Sequence, residues 1–239
     1  MTDLDLSHIQ ALTFDVGGTV FDWRGTIEDE LSRLAQQQGT DLDVPQFATD
    51  WRRGMLAMLS RVRSREIPWM TADELHRRVL DNVLADHTSL TLSESERDEL
   101  NEVWHRLRAW PDAPAAIERL RSRYTVVVLT VLSWSIVIDC SKHNGIDWDG
   151  ILSCEFLGDY KPDAGAYHAG VRLLRLEPGQ AMMVAAHPGD LGAAMAAGLR
   201  SAYVHREGET HVLSGPAGEP TEYDVSARDF PELADLLLA

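Results

Sequence analysis

Asp15 closes the short apolar run Leu12-Thr13-Phe14 and is followed by Val16, Gly17, Gly18 and Thr19. Such a run reads as a buried strand, and the paired glycines mark a sharp exit from it. Asp15 is thereby expected at the carboxyl end of a strand, where open α/β sheets bind ligands. A carboxylate there can act as a nucleophile, ligate a metal or cap its own turn. Glycine lets backbone N–H groups approach a negative charge, and Thr19 adds a hydroxyl to the same turn. Three more polar residues follow apolar runs further on: Thr130, Lys161 and Asp190. A doubly wound sheet would gather all four along one edge, setting an acid, a hydroxyl, an ammonium and a second acid side by side.

The elements that must position them are legible in order. Residues 26–108 are helical in pattern. Ile27, Leu31 and Leu34 precede a Gly39 stop, and Phe47, Trp51, Met55, Met58, Leu59 and Val62 form a second apolar face. Thr71 with Glu74, and Ser93 with Glu96, predict capping boxes that open two further helices. Four helices inserted after one strand suggest a lid over the core or, alternatively, helices packed flat on the sheet. After Trp110 the β/α alternation resumes: a helix over 113–121, a β-branched strand over 124–130, and a helix over 135–143 ending at Gly145. Strands at 150–153, 181–186, 201–204 and about 223–225, with a last helix from Phe230, complete an α/β chain. Residues 205–222 read as an exposed polar loop.

The 239 residues are 44% hydrophobic and carry a formal net charge of -16. That length suits one core with a smaller satellite. The charge opposes nucleic-acid binding, and an anionic substrate would need a local Arg or Lys. Cys140 and Cys154 read as free buried thiols, in keeping with a reducing compartment. Neither a signal peptide nor an apolar run long enough for a bilayer is visible, so the expectation is a cytoplasmic protein without membrane contact.

The segments FDVGGTVFD, VVVLT, YKPDAGAY and MVAAHPGDLGAAMAAGLR resemble the four motifs of the haloacid dehalogenase-like (HAD) superfamily, and the last two its 2-haloacid dehalogenase branch. The resemblance implies a Rossmann-like doubly wound parallel sheet over 1–21 and 110–239, with a helical C1-type cap over 22–109. It implies that Asp15 attacks C2 of a 2-haloalkanoate to form an ester that water then hydrolyses, without a cofactor. Lys161 would keep Asp15 ionised and Asp190 would orient Lys161 and help position or activate water. Thr19, Thr130 and backbone N–H groups near Gly17 and Gly18 would hold carboxylate oxygens. Tyr167 matches a tyrosine near the lysine. Trp51-Arg52 resembles a cap pair whose arginine meets the departing halide, with Arg53 as the alternative. Val16, Gly17, Trp23, Val131 and His187 complete the expected substrate and halide surroundings, Trp23 as a pocket wall or a core aromatic.

The departures matter as much. Phosphatases of the superfamily carry a general-acid Asp where this chain has Gly17, and a metal-binding Asp where it has Ala186; a Mg²⁺ site belongs only to that alternative. Val131 replaces a customary Asn, and His187 stands where another Asn is usual. His187 could assist water, stabilise a leaving group or simply hydrogen-bond. The expected reaction is (S)-2-haloacid hydrolysis to a 2-hydroxy acid, extending to fluoroacetate. The alternatives are hydrolysis of another C–X bond or of the strained ring of azetidine-2-carboxylate, a phosphatase, or a catalytically silent fold. The partners expected are a small carboxylic acid and water, and apolar cap helices would suit a homodimer.

Overall fold

A computed structural model describes residues 6–207, 209 and 222–239. Among these residues, six parallel strands form the central sheet in the order β5-β4-β1-β6-β7-β8. They are β1 (Ala11–Phe14), β4 (Thr125–Thr130), β5 (Gly150–Ser153), β6 (Ala181–Ala185), β7 (Arg200–Val204) and β8 (Val225–Ala227). The β-branched run 125–130 makes β4 a strand covered on both faces, and the alanines of β6 let helices press close. The order turns outward on either side of β1, so the carboxyl ends of β1, β4 and β6 meet at one crevice. Helices α5 (Ala113–Arg121), α6 (Trp134–Asn144), α7 (Ala164–Leu173), α8 (Pro188–Ala196) and α9 (Phe230–Leu238) flank the sheet. The last strand begins at Val225 rather than at Tyr223, because Asp224 turns back to bond the backbone and hydroxyl of Ser201.

After β1 the chain makes a short ribbon, β2 (Phe21–Asp22), which pairs antiparallel with β3 (Arg108–Ala109). Between these strands lie α1 (Trp23–Gln38), α2 (Val44–Arg63), α3 (Ala72–Asp86) and α4 (Glu94–Asn101), followed by a 3-10 turn (Glu102–Arg106). The chain therefore leaves and re-enters the sheet region at neighbouring points. Local chemistry sets each helix end. Asp22 caps α1 by accepting from Gly25 N, and Gly39 closes it at φ 63°. Thr71–Glu74 and Ser93–Glu96 both form the expected capping boxes.

The inserted helices are tied to the loops at the carboxyl edge of the sheet. Tyr160 donates its hydroxyl to Met70 O at 2.7 Å, and Asp73 N donates to Ser133 Oγ at 3.2 Å. Arg63, at the end of α2, forms a two-pronged ion pair with Asp163 at the start of α7. The insertion thus lies across the crevice rather than flat on a sheet face. Both cysteines are free and buried. Among the described residues, no helix is long and apolar enough to cross a membrane.

Candidate active site

The turn after β1 delivers Asp15 into the crevice. Val16 O accepts from both Val20 N and Phe21 N, and Gly18 N donates to Phe21 O at 2.8 Å. Gly18 adopts φ 91°, a left-handed conformation that favours glycine. Thr19 thereby points back at the carboxylate: its hydroxyl donates to Asp15 Oδ2 at 2.8 Å and accepts from Ala186 N at 3.0 Å.

Lys161, in the loop after β5, donates to Asp15 Oδ1 at 3.0 Å and to Asp190 Oδ2 at 2.6 Å. Tyr167 on α7 donates its hydroxyl to the other oxygen of Asp190. His187, which starts α8, places Nδ1 3.0 Å from Asp15 Oδ2 and Nε2 3.0 Å from Glu209 Oε2. Each oxygen of Asp15 therefore has donors of its own: Lys161 on one, Thr19 and His187 on the other.

The charges explain one another. Burial alone would raise the Asp15 pKa, but the Lys161 ammonium and the His187 ring outweigh it and hold the carboxyl far below the usual range. Burial pulls Lys161 the other way, and Asp15 with Asp190 more than restores its proton, lifting it above an ordinary lysine. His187 is likewise disfavoured by burial yet raised to about 9 by its bonds to Asp15 and Glu209. Tyr167, buried beside the Asp190 carboxylate, is pushed well above an ordinary phenol and stays a donor. Buried ions are poor stabilisers, since desolvation offsets most of their attraction. A cluster of them at a sheet switch point is better read as chemistry.

Arg52 on α2 faces inward and is 4% exposed, whereas the Arg53 side chain is 73% exposed and pairs with Asp50. The Arg52 guanidinium lies 5.5 Å from the Trp23 ring centroid, and its Nε has no hydrogen-bond partner among the described residues. Burial lowers its pKa, and the charges of Glu209 and Asp15 partly offset that.

Several expectations need correction. Thr130 has no hydrogen bond to Asp15 among the described residues; its hydroxyl accepts from Leu132 N at 3.1 Å, which shapes the turn after β4 and leaves its own O–H to donate. The Gly18 N–H is spent inside its own turn. Val16 is fully buried and shapes that turn through its carbonyl, and a Cβ on Gly17 would meet Leu132. Trp51 is a brace: fully buried, it donates Nε1 to His76 O at 2.8 Å. Tyr167 contacts Asp190, and through it Lys161. Val131 is half-buried against an apolar cluster that includes Met55 and Tyr160. Trp23 is both a core aromatic and the floor beneath Arg52.

Of the expected exposed loop 205–222, residues 208 and 210–221 lie outside the described residues; 205, 207 and 222 are exposed, but Arg206 and Glu209 are buried. Arg206 donates to Thr19 O at 3.0 Å and forks onto Asp112, bracing the Asp15 turn from behind. Glu209 completes the His187 contact. No spacing or motif links position 209 to position 187, so neither contact is legible in the chain.

The residues present do not fit a magnesium ion. Such a site needs several hard oxygen ligands, yet Ala186 offers no side-chain oxygen and Asp15 is flanked by an ammonium and a second cation.

The sequence matches the family described as haloacid dehalogenase-like hydrolase over residues 9–198. The chain belongs to that family. It is 26% identical over 238 residues to the (S)-2-haloacid dehalogenase 4A of Burkholderia cepacia, covering 92% of this chain and 89% of that one. It is also similar to a solved L-2-haloacid dehalogenase (33% identity, TM-score 0.88, 96% of this chain and 99% of the other). A structure described as a defluorinating L-2-haloacid dehalogenase is 34% identical at TM-score 0.88, over 97% and 96% of the two chains. This HAD hydrolase is thus a 2-haloacid dehalogenase-like enzyme of α/β fold, as its motifs implied.

Proposed function

We propose that this enzyme hydrolyses small (S)-2-halo acids in two steps through an ester on Asp15. The observation that carries the proposal is the Asp15 carboxylate itself, kept anionic by Lys161 at 3.0 Å and steadied by Thr19 and His187. In the first step an Asp15 oxygen bonds to C2 while the C–halogen electron pair leaves as halide. In-line displacement puts the departing halide on the side of C2 away from Asp15, toward the insertion. Residues 22–109 act as the cap, and Arg52 receives the anion, a task suited to a permanently charged, weakly hydrated guanidinium.

The second step reuses the same carboxyl carbon as an electrophile. Esterification removes the negative charge of Asp15, one of the two bonds that hold a proton on His187. The imidazolium then becomes a readier acid, and once it has released its proton the Nδ1 lone pair faces the ester. His187 then takes a proton from water as the oxygen attacks Asp15 Cγ, while Glu209 holds Nε2–H and orients the ring. Collapse of the tetrahedral intermediate returns the 2-hydroxy acid, the Asp15 carboxylate and the His187 imidazolium. Overall, water and the halo acid give hydroxy acid, halide and one proton. Both His187 nitrogens face carboxylates on the Asp15 side, so His187 serves water rather than the leaving group. Lys161 and the tyrosine-anchored Asp190 balance the charge at Oδ1 throughout.

The test is mass spectrometry of the enzyme quenched during turnover of (S)-2-chloropropionate, with halide release followed in parallel for 2-chloropropionate, fluoroacetate and azetidine-2-carboxylate. An adduct on the peptide containing Asp15 and chloride release are expected. Ring opening without dehalogenation, or Mg²⁺-dependent turnover of a phosphate ester, would replace this reading.

A further inference from the structure

Between α1, α2, α3 and the 3-10 turn lies a second group of buried polar atoms that the steps above leave unused. Among the described residues, neither ring nitrogen of His76 has a hydrogen-bond partner, nor do the indole N–H groups of Trp23 and Trp104. His76 is 0% exposed and both tryptophans are buried. The group is continuous. His76 lies flat on Trp104, with centroids 3.7 Å apart and planes 2° apart, and Trp23 stacks on Trp104 at 6.3 Å. Arg52, itself with an unpartnered Nε, sits over Trp23 at 5.5 Å. The Trp51 edge contact with Trp104 and its bond to His76 O hold these rings by their bodies, leaving the polar tips unmatched.

Unpaired buried donors are rare in folded proteins because each has given up water for nothing. Several of them beside one buried cation describe a site that expects an acceptor. Among the described residues Arg52 Nε has no hydrogen-bond partner, and the Glu209 and Asp15 charges only partly offset its burial, so an anionic acceptor suits the place. Burial, and then the Arg52 charge, hold the His76 pKa well below its ordinary value, so the ring donates one N–H without adding a second cation. The nitrogens are sealed from solvent, so an acceptor reaches them without its water shell. Among halides, fluoride is the smallest and the most strongly hydrated. It loses most on leaving water and gains most from N–H donors, whereas larger halides are content with a guanidinium and an apolar wall.

We propose that His76, with the indole N–H groups of Trp104 and Trp23, lines the leaving-group end of the site beside Arg52 and selects a small hard anion, fluoride, departing from C2 of a 2-fluoro acid. The inference rests on Asp15 attacking C2. As that bond forms, the C–F pair leaves as fluoride, which accepts the N–H hydrogen bonds without taking a proton.

The experiment compares fluoride and chloride release from fluoroacetate and chloroacetate by the wild type, His76→Phe and His76→Gln, with calorimetric titration of each protein by sodium fluoride and sodium chloride. Phenylalanine keeps the stack on Trp104 and removes the N–H; glutamine restores an N–H donor. The expected result is a loss in kcat/KM for fluoroacetate in His76→Phe that exceeds the loss for chloroacetate by about tenfold or more, with partial recovery in His76→Gln. Fluoride binding should weaken by a similar factor while chloride binding holds. Equal losses on both acids, or unchanged fluoride binding, would overturn the proposal. If His76→Phe does not fold, Trp104→Phe removes one N–H with little loss of ring and the same comparison applies. A wild type that binds fluoride but releases neither halide would count against the Asp15 reading and leave the anion site standing; one that binds no fluoride refutes the site.

Discussion

The Glu209 carboxylate occupies the space that a side chain at Gly18 would need: a Cβ there would collide with Glu209 Oε2. A glycine in the turn after β1 and a glutamate from beyond β7 are therefore one arrangement, which lets a carboxylate reach His187 from the far side of the crevice.

Glu209→Gln keeps the shape but weakens the hold on the His187 ring. Ester hydrolysis should slow by about 10²-fold, the lower range for a general base that has lost its support, while ester formation changes little. Gly18→Ala should have the same kinetic signature because the Cβ displaces Glu209, with a stability loss of about 1–2 kcal/mol from the positive φ. Rapid-quench kinetics with intact-protein mass spectrometry would show the ester accumulating. An unchanged ester lifetime in both variants would remove Glu209 from the second step.

His187→Phe, which keeps a ring but removes both nitrogens, should trap the ester more completely. Halide release would fall to a single burst, with an adduct on Asp15 that persists for many turnovers' time. A steady halide rate equal to wild type would mean that another group activates water.

Lys161→Met leaves Asp15 and Asp190 buried without their shared cation. The Asp15 pKa should rise, because burial is then no longer opposed by the ammonium. Halide release at neutral pH should drop by about 10²–10³-fold, and the remaining activity should increase toward alkaline pH. A variant within a few-fold of wild type would show that Lys161 is dispensable for keeping the carboxylate charged.

His105 gives a pH test of how the insertion is fastened. It joins Asp73 on α3 at 2.6 Å and Asp139 on α6 at 2.7 Å, and the Asp73 bond, opposed by burial and helped by Asp139, raises its pKa to about 9. Because the folded value lies above the ordinary 6.5, this stabilisation is full below pH 6.5 and is lost as pH rises through about 9. His187 titrates over the same range, so the comparison must be made between proteins. The Tm difference between wild type and His105→Gln should be largest near pH 6 and close by pH 10. A difference independent of pH would show that the imidazolium does not fasten the two helices.

Much of this was legible in the chain. Thr71, Ser93, Gly39 and Gly145 act within three or four residues of themselves, so the starts of α3 and α4 and the ends of α1 and α6 follow from local hydrogen bonding. Asp15, Lys161 and Asp190 could be paired in advance because parallel strands bring their carboxyl ends to one edge whatever the details of packing. Thr130 shares that edge, yet its hydroxyl is turned to Leu132 N, a choice of rotamer and turn that strand order does not make.

Sequence alone thus determined the sheet, the helical insertion and the acid–ammonium–acid set, since these depend on hydrophobic period, turn chemistry and chain order. Only the folded molecule decided that Arg52 rather than Arg53 faces inward, that Glu209 arrives where Gly18 leaves room, and that His76 lies flat on Trp104. Each of these is a meeting of side chains from distant segments, fixed by close packing and shared burial, and no local pattern of residues encodes it.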